Sequence, residues 1–264
     1  MVRARSLLIV TTYEVDVAGN VGTPGSSVAS RLLSVLACFD TANPELTMSE
    51  ISQRAGLPTT TTRRLLAELT EWGGLDRLVD NRYRIGVRLW EIGALAPQQR
   101  GLREAALPLM HDLWAATGEN VQLVVLDGCE ALCIEKISAT TSVANRTEVG
   151  GRLPLHATAV GKCLLANSPR DLLLEVIDRG LTRQTRYTIT EPGRLAAVLR
   201  EVRRTGVASS QEEMTLGVVS AASPIIANGG VLMGALGVVA HSTKQLNRLG
   251  PAVRTAALGI SRVA

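Results

Sequence analysis

Lysine is nearly missing from this chain of 264 residues: of 28 basic residues only Lys136, Lys162 and Lys244 are lysines, and the rest are arginines. The formal charge is +4 and the pI is near 9.1. Such a mild balance excludes a chain-wide basic signature, so any nucleic-acid binding has to come from where particular arginines stand. Arginine suits bidentate recognition, but its excess equally reflects codon composition. Cysteine is sparse as well. Cys38, Cys129, Cys133 and Cys163 form no close pair of the zinc-finger type and no disulfide framework, which reads as a reduced, intracellular chain. Cys129 and Cys133 would share a face of a straight strand, with His156 and Cys163 on a later segment. A metal site could be drawn from these, but small buried hydrophobes are the favoured role. Neither a metal nor a cofactor is expected.

Long apolar runs are missing too. No stretch reaches about 18 consecutive apolar residues, so no membrane helix is expected. The start, MVRARSLLIVTTYEVDV, has two arginines before an apolar run, but Leu7 to Val10 is too short for a signal peptide, and Glu14 and Asp16 follow closely. A cytoplasmic protein with a flexible extension over residues 1–25 is expected.

What is present centres on Thr47 to Trp72, TMSEISQRAGLPTTTTRRLLAELTEW. Thr47 can cap a short helix, with Glu50 three residues on to complete a capping box and Ile51 and Ala55 on its apolar side. Gly56 ends it, Leu57 plugs the turn, Pro58 prevents continuation, and Thr59 or Thr60 caps the next helix. At 100° per residue, Thr62, Leu65, Leu66 and Leu69 form one buried stripe. Thr60, Arg64 and Ala67 point away from it, and Thr61 and Arg63 flank it. Hydroxyls and arginines around an open helix N-terminus are what a major-groove reading helix needs. An ordinary helical hairpin with solvated arginines is the competing reading.

Leu75 to Ile85 alternates around the turn pair Asp80-Asn81 and reads as a two-stranded ribbon carrying Arg77, Arg82 and Arg84. A helix-turn-helix followed by a basic hairpin is a winged helix, whose wing touches backbone or minor groove. Upstream, Ser26 to Phe39 reads as an amphipathic helix with Val28, Leu32, Val35, Leu36 and Phe39 buried and Arg31 placed for a phosphate. Downstream, Val87 to Ala96 is an apolar helix stopped by Pro97, and residues 98–101 mark a boundary. Leu102 to Thr117 is a helix interrupted or kinked near Pro108.

From Val121 the period changes to two, with a hairpin around Gly128. His156 to Ala166 is a small-residue helix, and Pro192 to Thr205 another. Strands follow near Val207 to Gln211, Val218 to Ile226 and Val231 to Ala240, then a last helix from about Thr243. The class is α+β with an antiparallel sheet. The domains read as extension 1–25, winged helix-turn-helix 26–86, linker helix 87–101 and a distal domain 102–264.

Eight segments in order, SRLLSVL, TMSEISQRAGLPTTTTRRLLAEL, YRIGVRLWEIG, TGENVQLVVLDG, VGGRLPLHATAVGKCLLA, TRYTIT, EVRRTGVASSQEE and GVVSAASPI, make the chain similar to the IclR family of bacterial transcriptional regulators. The resemblance implies a winged helix-turn-helix, a linker helix and a GAF-like effector-binding domain, in homodimers or dimers of dimers. Such proteins bind palindromic double-stranded operators, commonly near catabolic operons, and respond to small organic or aromatic acids. It places the reading helix on Thr60, Thr61, Arg63 and Arg64. The effector pocket falls on Leu153, Ala159 and Val160 from one wall and on Ser210, Ser220, Gly237 and Val239 from the sheet. Where the family often carries Asp, Cys or Ser to hold a small carboxylate, this sheet has two Ser, a Gly and a Val. A larger, less polar ligand than a two- or three-carbon acid is therefore expected.

No enzyme is expected. His156 and Lys162 lie six apart, badly placed to meet on one helix, and Glu212-Glu213 suits a structural role at a strand end. The pairs Gly73-Gly74, Gly150-Gly151 and Gly229-Gly230 match no phosphate loop. The alternative is a small-molecule sensor or enzyme whose N-terminal helices serve only dimerisation.

Overall fold

A computed structural model of the chain describes residues 27–138, 143, 147–242 and 246–264. The expected extension at 1–25 and Lys244 lie outside the described residues. The chain divides into two compact units between Arg100 and Gly101.

The first unit is a small helical core closed by a ribbon. Helix α1 (Val28–Leu36) is capped by Ser27, whose side chain accepts from the Ser30 amide. Strand β1 (Glu45–Thr47) leads directly into α2 (Met48–Ala55), where Thr47 and Glu50 form the expected reciprocal capping box and Gly56 ends the helix in the left-handed region. Helix α3 (Thr59–Trp72) buries Thr62, Leu65, Leu66 and Leu69, the stripe that the helical period places together. Strands β2 (Leu75–Arg77) and β3 (Arg82–Ile85) form the wing, and β1 joins it in the order β1-β3-β2. Val35, Leu46, Ile51, Leu65, Leu66, Leu69, Leu75 and Tyr83 make the core. Helix α4 (Val87–Gly93) follows and buries none of its residues.

Three local expectations need correction. Val28 is exposed, because it is the first residue of α1 and precedes the turn that packs. Neither Thr59 nor Thr60 caps α3: the cap position is Pro58, with no side-chain cap. Leu57 is half-buried rather than sealed in.

The second unit is a six-stranded antiparallel sheet with helices on both faces. Helix α5 (Pro97–Thr117) opens with Pro97 and runs on through Pro108 as one helix. Pro97 thus starts an element as well as ending one, since a first helical position has no amide bond to lose. Strands β4 (Asn120–Asp127) and β5 (Glu130–Ile137) form the hairpin at Gly128. Next come β6 (Arg152–Pro154), α6 (Ala159–Ala166), α7 (Arg170–Asp178) and α8 (Pro192–Thr205). The chain closes with β7 (Ala208–Gln211), β8 (Val218–Ala227), β9 (Val231–His241) and α9 (Leu246–Ser261). The strand order is β6-β5-β4-β9-β8-β7.

Side chains alternate across this sheet, so the four central strands each contribute to two cores. Val121, Leu123, Leu236 and Val238 pack with Leu102, Met110 and Leu113 of α5 and Val253, Ala257 and Ile260 of α9. On the other face, Val124, Cys133, Ala222 and Ala235 pack with α6 and with Leu195, Leu199 and Val202 of α8. Every residue of α6 is buried.

Candidate functional site

The buried stripe of α3 leaves Thr60, Arg63 and Arg64 exposed and Thr61 half-buried. The Thr62 hydroxyl is spent on the Pro58 carbonyl at 3.2 Å, within the first turn of α3. With no side-chain cap, the leading amides of α3 are open to an anion from outside the chain. Arg64 has Glu68 one turn on at 3.8 Å, a loose exposed pair. Arg31 is half-buried on α1.

The wing is less basic than the sequence reading expects. Arg84 Nε lies 3.2 Å from Asp76, and Arg82 Nε 3.6 Å from Asp80. Arg77 donates to Asn81 Oδ1 at 2.6 Å and stacks 6.0 Å over the Tyr83 ring. Three arginines thus face two aspartates, and Asn81 turns the ribbon in the left-handed region at φ 65°. At the tip Val79 is fully exposed.

In the second unit, register defines the other candidate site. Ser210 pairs with Ser220, Ser220 with Val239, and Val239 with Asn120. The next row joins Ala222, Gly237, Gln122 and Lys136. All face α6. A Cβ at Gly237 would stand 2.5 Å from Val160 Cγ1, so the missing side chain is where α6 seats. Gly161 makes a similar approach: a Cβ there would meet the Leu155 backbone at 2.5 Å.

The structure therefore brings Val160, Gly237, Val239 and Ser220 together. Ser210 joins their row, but its hydroxyl donates to the Ala157 carbonyl at 3.1 Å. Leu153 packs in the same apolar cluster as Ala159 and Val160. It sits on β6, at the opposite sheet edge from Ser210 on β7.

Sequence reasoning missed two features here. Gln122 is buried on β4 between Gly237 and Lys136, and its parity with Asn120 and Val124 was the available signal. The other is an ion pair. Lys162 Nζ donates to Glu213 Oε1 at 2.6 Å, with both residues buried. The hydroxyls of Thr185 and Thr188 hold the carbonyls of Glu212 and Glu213 at 2.6 and 2.7 Å. Burial lowers the Lys162 pKa and Glu213 opposes that shift.

The remaining chemistry-bearing groups are occupied. His156 Nε2 meets the Thr182 carbonyl at 2.9 Å, beside a cleft of about 340 Å³ that includes Cys129, Arg179 and Gln184. Arg179 is committed to Glu175 at 2.8 Å. Cys129 lies in the β4–β5 turn rather than on a strand face with Cys133. Burial pushes both thiols up to about 11, far from the thiolate that a metal or a nucleophile needs. Among the described residues no group of three or more His, Cys, Asp or Glu could hold a metal ion, and no helix is long and apolar enough to cross a membrane.

Two family sequence models match the chain. One describes an IclR helix-turn-helix domain and covers residues 16–78; the other describes the C-terminal part of the bacterial transcriptional regulator IclR and covers 95–262. The chain is 30% identical over 193 residues to the transcriptional repressor IclR of Escherichia coli, spanning 72% of this chain and 70% of that protein. It is 33% identical over 199 residues to the regulator XynR of the same organism, spanning 74% and 78%. Among solved structures, an IclR homolog of Microbacterium hydrocarbonoxydans complexed with 4-hydroxybenzoate superposes with a TM-score of 0.85 at 33% identity, covering 89% of this chain and 98% of that one. IclR of Thermotoga maritima gives 0.72 at 26%, covering 89% and 97%.

Proposed function

Because the chain belongs to the IclR family of bacterial transcriptional regulators, we propose that it binds a palindromic operator as a dimer or dimer of dimers and that a small organic or aromatic acid in the distal unit alters that binding. The coarser part is plain. The protein is a DNA-binding transcriptional regulator with a ligand-binding C-terminal domain, and its relatives carry regulator names rather than enzyme names. Acting on the operator of a catabolic operon, it works in the cytoplasm.

The observation that carries the DNA reading is α3. Its outer face offers Thr60, Arg63 and Arg64 around an end with no side-chain cap, while the inner face is spent on the core. Arg31 and the wing arginines Arg77, Arg82 and Arg84 then serve the backbone. Gly237 and Val239 supply no polar side-chain atom, and the relative of TM-score 0.85 holds 4-hydroxybenzoate, which together support an aromatic acid over a two- or three-carbon one.

The test is binding of the purified chain to the duplex upstream of its own gene and to a scrambled duplex, across a range of salt, with and without 4-hydroxybenzoate. A preference for the native sequence, a steep fall with salt and a shift on adding the acid are expected. Equal, salt-insensitive binding to both duplexes would mean that the N-terminal helices serve dimerisation alone.

Dimerisation has a candidate surface in the first unit. Around α4, Val87 and Ile92 are exposed, and Trp90 and Leu95 show 69% and 71% of their surface. A second copy covering this strip would bury these exposed apolar groups. Trp90→Glu is expected to shift sedimentation toward the monomer while the thermal transition stays within a few degrees of the parent.

A further inference from the structure

On the α6 face of the sheet, Gln122 offers a polar atom that the described residues do not use. Gln122 keeps only 3% of its surface, and its side chain lies over Gly237: a Cβ built there would be 3.4 Å from Gln122 Cγ and 3.5 Å from Nε2. Its Oε1 is buried and accepts no hydrogen bond from the described residues. A buried carbonyl oxygen with no donor is costly, and Leu or Met would fill the same volume without that penalty.

Its polar neighbours donate to other acceptors. Asn120 Nδ2 donates to the Val143 carbonyl at 2.8 Å, Ser210 Oγ to the Ala157 carbonyl at 3.1 Å, and Lys136 Nζ to Glu148 at 2.9 Å. Val160 and Val239, on the same face, have nothing to donate. No donor of the described residues reaches Oε1, and a donor that enters beside α6 can supply the missing bond. A carboxylate cannot supply it, and neither can an unsubstituted aromatic ring. A hydroxyl or an N–H can.

We propose that Gln122 is the polar anchor of the effector pocket and that the effector carries a hydrogen-bond donor, a hydroxyl or N–H, in addition to its acid group. The assignment rests on the ligand-sensing reading above and adds a specificity rule to it. The donor bonds to Oε1, while Val160 and the Gly237 notch set how closely the ligand approaches. Gln122 selects between ligands of equal size and charge by whether they donate.

The full chain is titrated calorimetrically with two matched pairs of probes. One is 4-hydroxybenzoate against 4-fluorobenzoate, and the other is mandelate against phenylacetate. In a pair that binds, the hydroxylated member is expected to bind about tenfold more tightly. In Gln122→Met that advantage is expected to disappear, and the ligand-free variant is expected to melt about 2–4 °C higher, since an unpaired polar group has been removed. Equal affinity of both members for the parent protein, full discrimination kept by the variant, or a variant that melts lower would overturn the role of Gln122 while leaving acid sensing intact. No binding of any of the four probes would overturn the acid-sensing reading and this assignment with it.

Discussion

Lys162→Met is expected to destabilise the C-terminal unit by about 3–5 kcal/mol, measured as a fall in the denaturant midpoint of that transition. The residue joins α6 to the segment after β7 through Glu213, at 2.6 Å and with 1% of its own side chain exposed. Removing the cation strands a carboxylate whose second oxygen, Oε2, already has no partner among the described residues. The double substitution Lys162→Met with Glu213→Leu is expected to recover most of the loss, because the cost belongs to the unpaired charge and not to the missing pair. Burial depresses the Lys162 pKa below 10.5 in the folded state, so the unfolded chain binds more protons between that lowered value and 10.5. Over that window this group's contribution to stability rises with pH, and Lys162→Met abolishes the rise. A single substitution that costs under 1 kcal/mol would mean that the pair is not formed in solution.

The second large effect is expected at the reading helix. Arg63→Ala should weaken binding to the cognate operator by about 1–3 kcal/mol and relax preference at one base pair. Arg63 is exposed on α3 and no carboxylate pairs with it among the described residues, unlike Arg64, which has Glu68. The wing should behave differently. Arg82 and Arg84 are each half-neutralised by Asp80 and Asp76, so Arg82→Ala is expected to weaken binding slightly and equally for all sequences. Competition between cognate and scrambled duplexes separates the two behaviours. Equal losses on both duplexes for Arg63→Ala would make it a phosphate contact and move base reading to its neighbours.

These contrasts also mark where the sequence was readable. The capping box at Thr47, the left-handed stop at Gly56 and the stripe on α3 are set within one or two helical turns, so local chemistry was enough. The three-residue strand β1 was not foreseen, since it exists only by pairing with β3, from Glu45 with Arg84 to Thr47 with Arg82. Helix α7 was passed over although Leu172, Leu173 and Val176 pack against the core, because four of its nine residues are charged and its cap is a proline without a side-chain bond. Asp76 was in plain view as a residue, but its pairing with Arg84 needed the register of the ribbon. Gln122 was hidden for the same reason: its meaning comes from Gly237, on a strand far away in the chain.

That distance has a consequence for how the molecule is made. In the sheet, β4 has its hairpin partner β5 immediately after it, but its other edge is covered by β9, with Asn120 opposite Val239. A ribosome emitting the chain has long finished the helices and wing of the first unit before the strand that closes this sheet emerges. Contacts within that first unit are local and form early, whereas closure of β4 on β9 waits for almost the whole polypeptide. Until then the nascent chain carries an open strand edge next to a row of valines and leucines, the arrangement most prone to pairing with a neighbouring chain. Refolding should show a fast phase from the first unit and a slower one from the second, and chains truncated before Val231 should be retained by chaperones or aggregate.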